Sequence, residues 1–566
     1  MVTETSSTVN IYSSDNGDKP SQLEKPTTDN SLSRLVQTIH DSIEEFKIKH
    51  KNSITWFIRI LLNVGFVTYF GFATQHFINK GDDYVPFCDG DEYGILILLF
   101  CFVYLLVFYY YIYKPYVSTI PFNKNVFSFC SIPWMKWGIY LLILIGIFAF
   151  LVIDSLEDPN RLIAIVGFIG MLLFGFITSK YPGKVKWSTV VLGLIVQFLL
   201  GIFTIRWEFG RNIFKCSGDK ISTFLNYTSV GSTFVYGDIL ISNNVFAFQA
   251  LSVIFFLSFF VKILYYYGII QKVVVSLGMI LQKAMGTTIV ESVNSAANIF
   301  LGMTESPLLL QPYLQNLTES EIHSVMVAGF ASVSGTVLAA YISFGAKPSH
   351  LITASVMSAP AALCYSKLNY PETEVSMSTE DNIEIPESDD TSVLDAASKG
   401  ATLAVEIVLG IAANVIAFVS FIAFLNGVIN WFGILVGQDD WSIEEGLSYV
   451  FMPVSFVMGV PWDECKYVGR LIGIKTVINE FSAYKELGTM LSLNLFSKRT
   501  EAIATYAICG FSNPGSVGIM ISTMSTLMPG KRDNITSLAF RSFVAGAIVC
   551  FMTACIAGML ISEDQV

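Results

Sequence analysis

Three polar interruptions inside apolar runs carry the groups that could do chemistry. Residues 298–314 read NIFLGMTESPLLLQPYL, and Gly302, Met303, Thr304, Glu305, Ser306 and Pro307 form the polar centre. A second carboxylate, Glu480, follows Asn479 in the middle of the apolar run 471–493. The third interruption, Cys509-Gly510-Phe511-Ser512-Asn513-Pro514-Gly515-Ser516, divides the run 502–527. Carboxylates accept from hydroxyl groups, the Asn513 amide donates and accepts, Ser516 adds a hydroxyl and Phe511 a ring face. That set suits a neutral, planar, polyhydroxylated solute. A phosphate is a poor fit, because no Lys or Arg stands beside the third interruption. Enzyme chemistry finds no support: His is rare, and no HExxH, CxxC or nucleophile–base pattern occurs.

The first interruption also suits a cation. Thr304 or Ser306 is placed to cap a half-helix that starts near Pro307, a residue favoured in a first helical turn. The preceding half-helix should end near Leu301 and Gly302 and leave carbonyls open. With the Asn298 amide close by, these make a hard-cation site of the Na+ type.

Magnitudes decide between a site and an accident. A lone carboxylate at the bilayer centre costs about 2.5–3.5 kcal/mol. Glu305 and Glu480 together would cost roughly 5–7 kcal/mol, comparable with a whole fold's margin of about 5–15 kcal/mol. Each therefore needs a partner, an ion or a ligand. The plainer reading places them in aqueous loops. It is weak for Glu305, flanked by Ile299, Phe300 and Leu301 and by Leu308, Leu309 and Leu310, and stronger for Glu480, with Lys475 and Lys485 near. For the Asn513 region the plainer reading is a Gly/Pro kink that helps helices pack.

The elements around these residues follow from composition. The chain has 566 residues, 53% hydrophobic and 14% charged, against about 25% charged in soluble domains. It reads as an all-α polytopic membrane protein. Its formal net charge of −11 gathers in residues 15–45 and 372–395, and there is no basic footprint for a nucleic acid. Residues 1–53 form a polar, disordered tail without the apolar core of a signal peptide. Apolar runs at 54–77, 93–113, 137–153, 162–179 and 187–205 are long enough to span. Lysines flank alternate loops, which places the N-terminus in the cytosol. Residues 206–244 then form a polar extracellular segment with a glycosylation sequon at Asn226-Tyr227-Thr228. Cys88 and Cys216, both in polar loops, could pair if both are outside. A sixth run follows at 245–267.

From residue 272 the runs shorten and Gly, Ser, Asn and Pro break them. Half-length pieces at 288–301 and 307–314 precede runs at 322–344 and 351–363. An acidic linker, 371–395, leads to a second set: 403–432, 447–460, the broken 471–493, 502–527 and 535–561. The whole suggests about 11 transmembrane helices plus two re-entrant hairpins, since pieces of 10–14 residues are too short to span. Interrupted segments in corresponding positions of two halves point to a transporter's binding site.

The stretches GMTESPLLLQPYL, SGTVLAAYISFG, HLITASVMSAPAAL, INEFSAY and ATYAICGFSNPGSVGI closely resemble the concentrative (cation-coupled) nucleoside transporters, from about residue 251 to 560. The three-helix N-terminal extension, which with the first scaffold helices occupies 54–205, looks like that of the longer, animal-type members. The resemblance implies a sodium- or proton-coupled nucleoside symporter in a lipid bilayer, a homotrimer, with an inverted-repeat transport domain moving on a scaffold domain. It places the core at 245–560 and the hairpins near 287–314 and 466–493. It gives Met303, Thr304, Glu305 and Val337 to the nucleobase, Glu480, Asn513 and Ser516 to the ribose, and Phe511 to the substrate as well. It gives Asn298, Ser332 and the carbonyls of Leu301 and Val333 to sodium, and implies no other cofactor.

Departures from the family pattern are informative. Met303 stands where many members have Gln. Gly302-Met303 with Thr336-Val337 resembles the purine-preferring animal type, and Met offers a soft apolar wall in place of an amide. The resemblance therefore implies purine nucleosides plus uridine. Gln311 replaces a common Arg, Pro514 a usual branched residue, and Cys509 sits where a Cys is linked to proton coupling in one broad-selectivity member. The rival readings are an uncoupled nucleoside facilitator or channel, and a cation symporter for another small polar solute. A plasma-membrane location is expected.

Overall fold

The computed structural model describes residues 49–80, 93–108, 133–156, 158–243, 245–376, 388–438 and 441–562, with scattered positions between 35 and 45. Most of the expected N-terminal tail, the loop 81–92 with Cys88, the stretch 109–132 and the middle of the acidic linker, 377–387, lie outside the described residues. The chain forms two units, Met1–Pro121 and Phe122–Val566.

The first unit contains α1 (Lys51–Lys80) and α2 (Tyr93–Phe108). They pair through Phe70 on Phe100, rings 4.2 Å apart, and through Tyr104 donating to Asn63 Oδ1 at 3.0 Å. Their other faces are apolar and exposed, as expected of helices bathed in lipid.

The second unit opens with α3 (Pro133–Asp154), α4 (Ile163–Ile177) and α5 (Trp187–Gly201), which runs on through a π-turn at Ile202–Arg206. Residues 206–244, expected as a polar segment, hold α6 (Glu208–Asn226), α7 (Thr228–Tyr236) and α8 (Asp238–Ser242). Asn226 is the exposed last residue of α6. Cys216 is disulfide-bonded. Next come α9 (Ser252–Tyr266) and α10 (Ile269–Met285), bent by 77° at Gly268, whose φ is +69°. A left-handed residue there ends one helix and starts another, and glycine adopts it without strain.

The broken elements follow. They are α11 (Ile289–Ala297), the single turns α12 (Glu305–Leu308) and α13 (Gln311–Leu314), α14 (Glu319–Phe330) and α15 (Gly335–Ser343). After α16 (Pro348–Asn369) and the linker stands α17 (Val393–Leu435), 43 residues long. The second set is α18 (Ile443–Val457), α19 (Cys465–Val477), α20 (Glu480–Ser492), α21 (Lys498–Ile508), α22 (Pro514–Leu527) and α23 (Arg532–Leu560).

Among the described residues eight helices are long and apolar enough to cross a membrane, nine if the bent α9–α10 pair counts as one span. The chain is a multi-pass membrane protein. The expected figure of about eleven includes runs that here fall short of a span: α2 has 16 residues and α18 has 15, and the run 502–527 divides into α21 and α22 of 11 and 14.

The centre is built from α14, α15, α16 and α23, buried on nearly every side, while α17 is exposed along most of its length. Small residues make the centre dense. A Cβ on Gly546 of α23 would lie 2.4 Å from the Phe330 side chain of α14, and one on Gly193 of α5 would lie 2.4 Å from Cys364 of α16. Close approach of this kind replaces the hydrophobic drive that lipid cannot supply. Buried charges fasten the ends. Lys367 at the end of α16 pairs with Glu291 of α11 at 2.8 Å and Glu372 at 3.3 Å. Arg499 donates to the carbonyls of Gly459 at 2.6 Å, Gly558 at 2.8 Å and Ile561 at 3.2 Å. The last two belong to the end of α23, where a cation complements the helix dipole.

Candidate functional site

Four chain breaks converge, and local chemistry opens each. The first lies between α11 and α12. Here Thr304 is the N-cap residue but makes no side-chain cap bond, because its backbone is helical (φ −91°, ψ −33°) and a capping hydroxyl needs an extended residue. Ser306 makes no cap either: its Oγ is buried without a hydrogen-bond partner. In place of the expected hydroxyl cap, the Gly302 carbonyl accepts from the N–H groups of Glu305 and Ser306 at 3.1 and 3.0 Å, while Glu305 Oε2 accepts the Gly302 N–H at 3.2 Å. The preceding half-helix ends at Ala297, slightly earlier than expected, and residues 298–301 continue in turns.

The second break, 331–334, lies between α14 and α15. Ser334 is extended and its Oγ accepts from the Thr336 N–H at 3.2 Å. Gly335 N–H donates to the Phe300 carbonyl at 3.1 Å, tying this break to the first. A Cβ on Gly335 would lie 2.6 Å from that carbonyl oxygen, so only glycine fits. The third break, Ile478 and Asn479, separates α19 from α20, with Asn479 Oδ1 accepting from Ser482 N–H at 2.9 Å. The fourth, 509–513, separates α21 from α22. Phe511 N–H donates to the Ser332 carbonyl at 3.2 Å and Ser512 Oγ to the Phe330 carbonyl at 2.9 Å, tying the fourth break to the second.

Asn513 stands where the third and fourth breaks meet. Its Oδ1 caps α22 through the Ser516 N–H at 2.9 Å, and its Nδ2 donates to Glu480 Oε2 at 2.7 Å. Tyr341 of α15 donates to Glu480 Oε1 at 3.4 Å. The Glu480 side chain is 3% exposed, so its position in an aqueous loop is excluded. Phe511, Ser516, Val337 and Met303 are also buried. Met303 packs against α14, where a Cβ on Gly329 would lie 2.8 Å from the Met303 Cβ.

Glu305 is half-buried and opens on a cavity of about 350 Å³ that it shares with Leu301, Gln311, Thr336, Lys262 and Asp390. The predicted residues thus fall into two neighbouring groups. Leu301, Glu305 and Thr336 line the cavity, and Glu480, Asn513 and Ser516 form a buried hydrogen-bonded cluster. The short helix α15 links them, with Thr336 near its start and Tyr341 near its end.

The oxygens expected to hold a cation are open. Asn298 is 2% exposed, and its Nδ2 donates to the Asn294 carbonyl at 2.9 Å while its Oδ1 has no partner. The main-chain bonds joining the breaks use the carbonyls of Phe300 and Ser332 and spare the adjacent ones of Leu301 and Val333. Ser332 Oγ donates to the Ala328 carbonyl at 2.8 Å and keeps its lone pairs. Amide, carbonyl and hydroxyl oxygens are the ligands that hard cations take. Among the described residues no cluster of three or more His, Cys, Asp or Glu is arranged for a metal.

Sequence reading missed Tyr341, Lys262 and Tyr265. Tyr341 had a signal, as a hydroxyl among the apolar residues Leu338, Ala339, Ala340 and Ile342. Lys262 and Tyr265 had none, because their place at the cavity depends on how α9 packs against segments distant in sequence.

Three family models match: "Na+ dependent nucleoside transporter N-terminus" over residues 166–239, "Nucleoside recognition" over 247–348 and "Na+ dependent nucleoside transporter C-terminus" over 350–558. Solute carrier family 28 member 3 of Eptatretus stoutii is 43% identical over 441 residues, covering 75% of this chain and 64% of that protein. Sodium/nucleoside cotransporter 1 of Rattus norvegicus is 41% identical over 445 residues, covering 76% of this chain and 68% of that protein. The chain thus spans slightly less than two thirds of the first relative's length. The structure of CNTnw in an inward-facing substrate-bound state is 35% identical, with a TM-score of 0.67 over 71% of this chain and 98% of that one. With sequence, family models and fold in agreement, the chain belongs to the concentrative, sodium-dependent nucleoside transporter family.

Proposed function

We propose that this protein is a sodium-coupled symporter that imports nucleosides, purine nucleosides and uridine above all, across the plasma membrane. The observation that carries the reading is the Glu480–Asn513–Tyr341 cluster together with the buried, unpartnered Oδ1 of Asn298. A buried carboxylate held by an amide and a phenol is ready to accept from ribose hydroxyls. Glu305, at the neighbouring cavity, and Thr304 before it in the chain face the base, and Met303 with Val337 supplies an apolar wall. Sodium binds between Asn298, Ser332 and the carbonyls of Leu301 and Val333. Its charge offsets the carboxylates, which is why solute and cation bind best together.

The pairs α11–α12/α13 and α19–α20 are read as two re-entrant hairpins whose tips close the site alternately. The N-terminus is cytosolic and the working unit a homotrimer. Protons can substitute for sodium only if a titrating group joins the site, and Cys509 is the residue to examine. The test is uptake of labelled guanosine, adenosine and uridine in sodium medium and then in choline medium. Sodium-dependent accumulation above the external concentration is expected. Equal uptake in both media at neutral pH, or equilibration without accumulation, would favour a facilitator or channel. Glu305→Gln and Glu480→Gln should each abolish uptake while the protein still reaches the surface.

A further inference from the structure

Lys475 is a lysine that neither fold nor binding site explains. It lies on α19, five residues before Glu480, and is wholly buried at 0% exposure. Its Nζ has no nitrogen or oxygen partner among the described residues, and the polar side chain that approaches it is the uncharged Cys550 thiol. It sits 5.8 Å from the centre of the Phe551 ring, whose face holds an ammonium by cation–π attraction. The thiols of Cys509 and Cys550 and the carboxylate of Glu480 are the polar groups within its electrostatic reach. An unpaired buried ammonium is strongly unfavourable, so a charge nearby must compensate it, and Glu480 is the anion in reach.

We propose that Lys475 is the built-in countercharge of Glu480 in the empty carrier, required for the unloaded protein to return rather than for solute to bind. The inference rests on the symporter reading. Glu480 already has its two contacts from Asn513 and Tyr341 and makes no ion pair with Lys475 within 4 Å, so the lysine leaves the ribose-facing oxygens free. Lys475 and Glu480 flank one break, on consecutive helices α19 and α20, so they travel together wherever that element goes. Glu305 is different. The lysine in its electrostatic reach, Lys262, belongs to α9, a separate element across the cavity. The more deeply buried carboxylate therefore carries its balance with it, and the cavity-facing one relies on the cation and on whichever surface it meets.

The experiment separates two half-cycles. Net uptake into nucleoside-free cells requires the empty carrier to return, whereas exchange against internal nucleoside does not. Lys475→Met should lower net uptake by about tenfold or more and leave exchange within about threefold of wild type, and Lys475→Arg should recover much of the net uptake. Net uptake and exchange falling by one common factor, or neither falling, overturns the proposal. Should Lys475→Met fail to reach the surface, adding Glu480→Gln decides the matter. Charge balance predicts that the double variant regains surface protein, and unchanged absence of it overturns the proposal. A wild-type protein without sodium-driven accumulation defeats the symporter reading instead, a result distinct from any of these.

Discussion

Asn513 donates to Glu480 Oε2 at 2.7 Å while its own Oδ1 caps α22 through Ser516. One amide thus fixes the start of a helix and the orientation of a buried carboxylate. Asn513→Asp keeps the cap and removes the donor, placing two carboxylates face to face. A hydrogen bond to a charged group is worth about 1.5–3 kcal/mol and a buried like-charge contact costs more. Nucleoside uptake should fall more than about tenfold. Combining it with Glu480→Gln restores a donor facing an acceptor, so the double variant should be more thermostable in detergent than Asn513→Asp alone. Equal melting temperatures would show that the pair carries no coupling.

Gly488 of α20 tests whether that helix must lie close against α15. A Cβ there would fall 2.0 Å from the Phe344 carbonyl oxygen, a backbone atom that cannot move aside alone. Gly488→Ala should destabilise by about 1–3 kcal/mol or more through overpacking, read as lost surface expression and a lower melting temperature. Gly518→Ala, on α22 with open space around it, is the control and should match wild type.

The sequence showed this architecture where polarity and depth conflict. Glu305, Glu480 and Asn513 stand out because apolar neighbours flank them on both sides, and the breaks at 298–304, 478–479 and 509–513 lie where those residues stand. Other features depend on contacts between distant segments and leave no local trace. Lys262 of α9 lines the Glu305 cavity, a meeting of residues more than forty positions apart in the chain. Residues 206–244 read as a polar loop because α6 spreads Glu208, Arg211, Lys215 and Asp219 on a nearly four-residue period. Such a pattern marks a surface helix as readily as a loop. Thr304 resembled a cap by type, and only its helical backbone dihedrals show that it makes no cap, the Gly302 carbonyl taking the first N–H groups instead.

Met303 is where base preference should respond. It is buried against Gly329 and offers an apolar, polarisable surface next to Glu305 in sequence. Met303→Gln introduces an amide that can donate to and accept from a pyrimidine edge. The ratio of cytidine or thymidine uptake to guanosine uptake should rise by about tenfold, the effect of one well-placed hydrogen bond of about 1.4 kcal/mol. A ratio unchanged in a variant that still transports uridine would remove Met303 from the set that reads the base.

Asn298 gives the most direct test of the cation site, because its Oδ1 is buried and unpartnered while its Nδ2 is already bonded to the Asn294 carbonyl. Asn298→Ala removes a ligand oxygen and one local bond, and Asn298→Asp keeps the oxygen and adds charge. If sodium binds here, the alanine variant needs about tenfold more sodium for half-maximal uptake, and saturating sodium recovers much of the maximal rate. The aspartate variant should hold sodium at least as tightly yet release it slowly, so its maximal rate falls while its half-saturating sodium does not rise. A structural role alone predicts something else: both variants lose rate at every sodium concentration with unchanged half-saturation. The shape of the sodium curve, measured at fixed uridine and normalised to surface protein, separates the two outcomes.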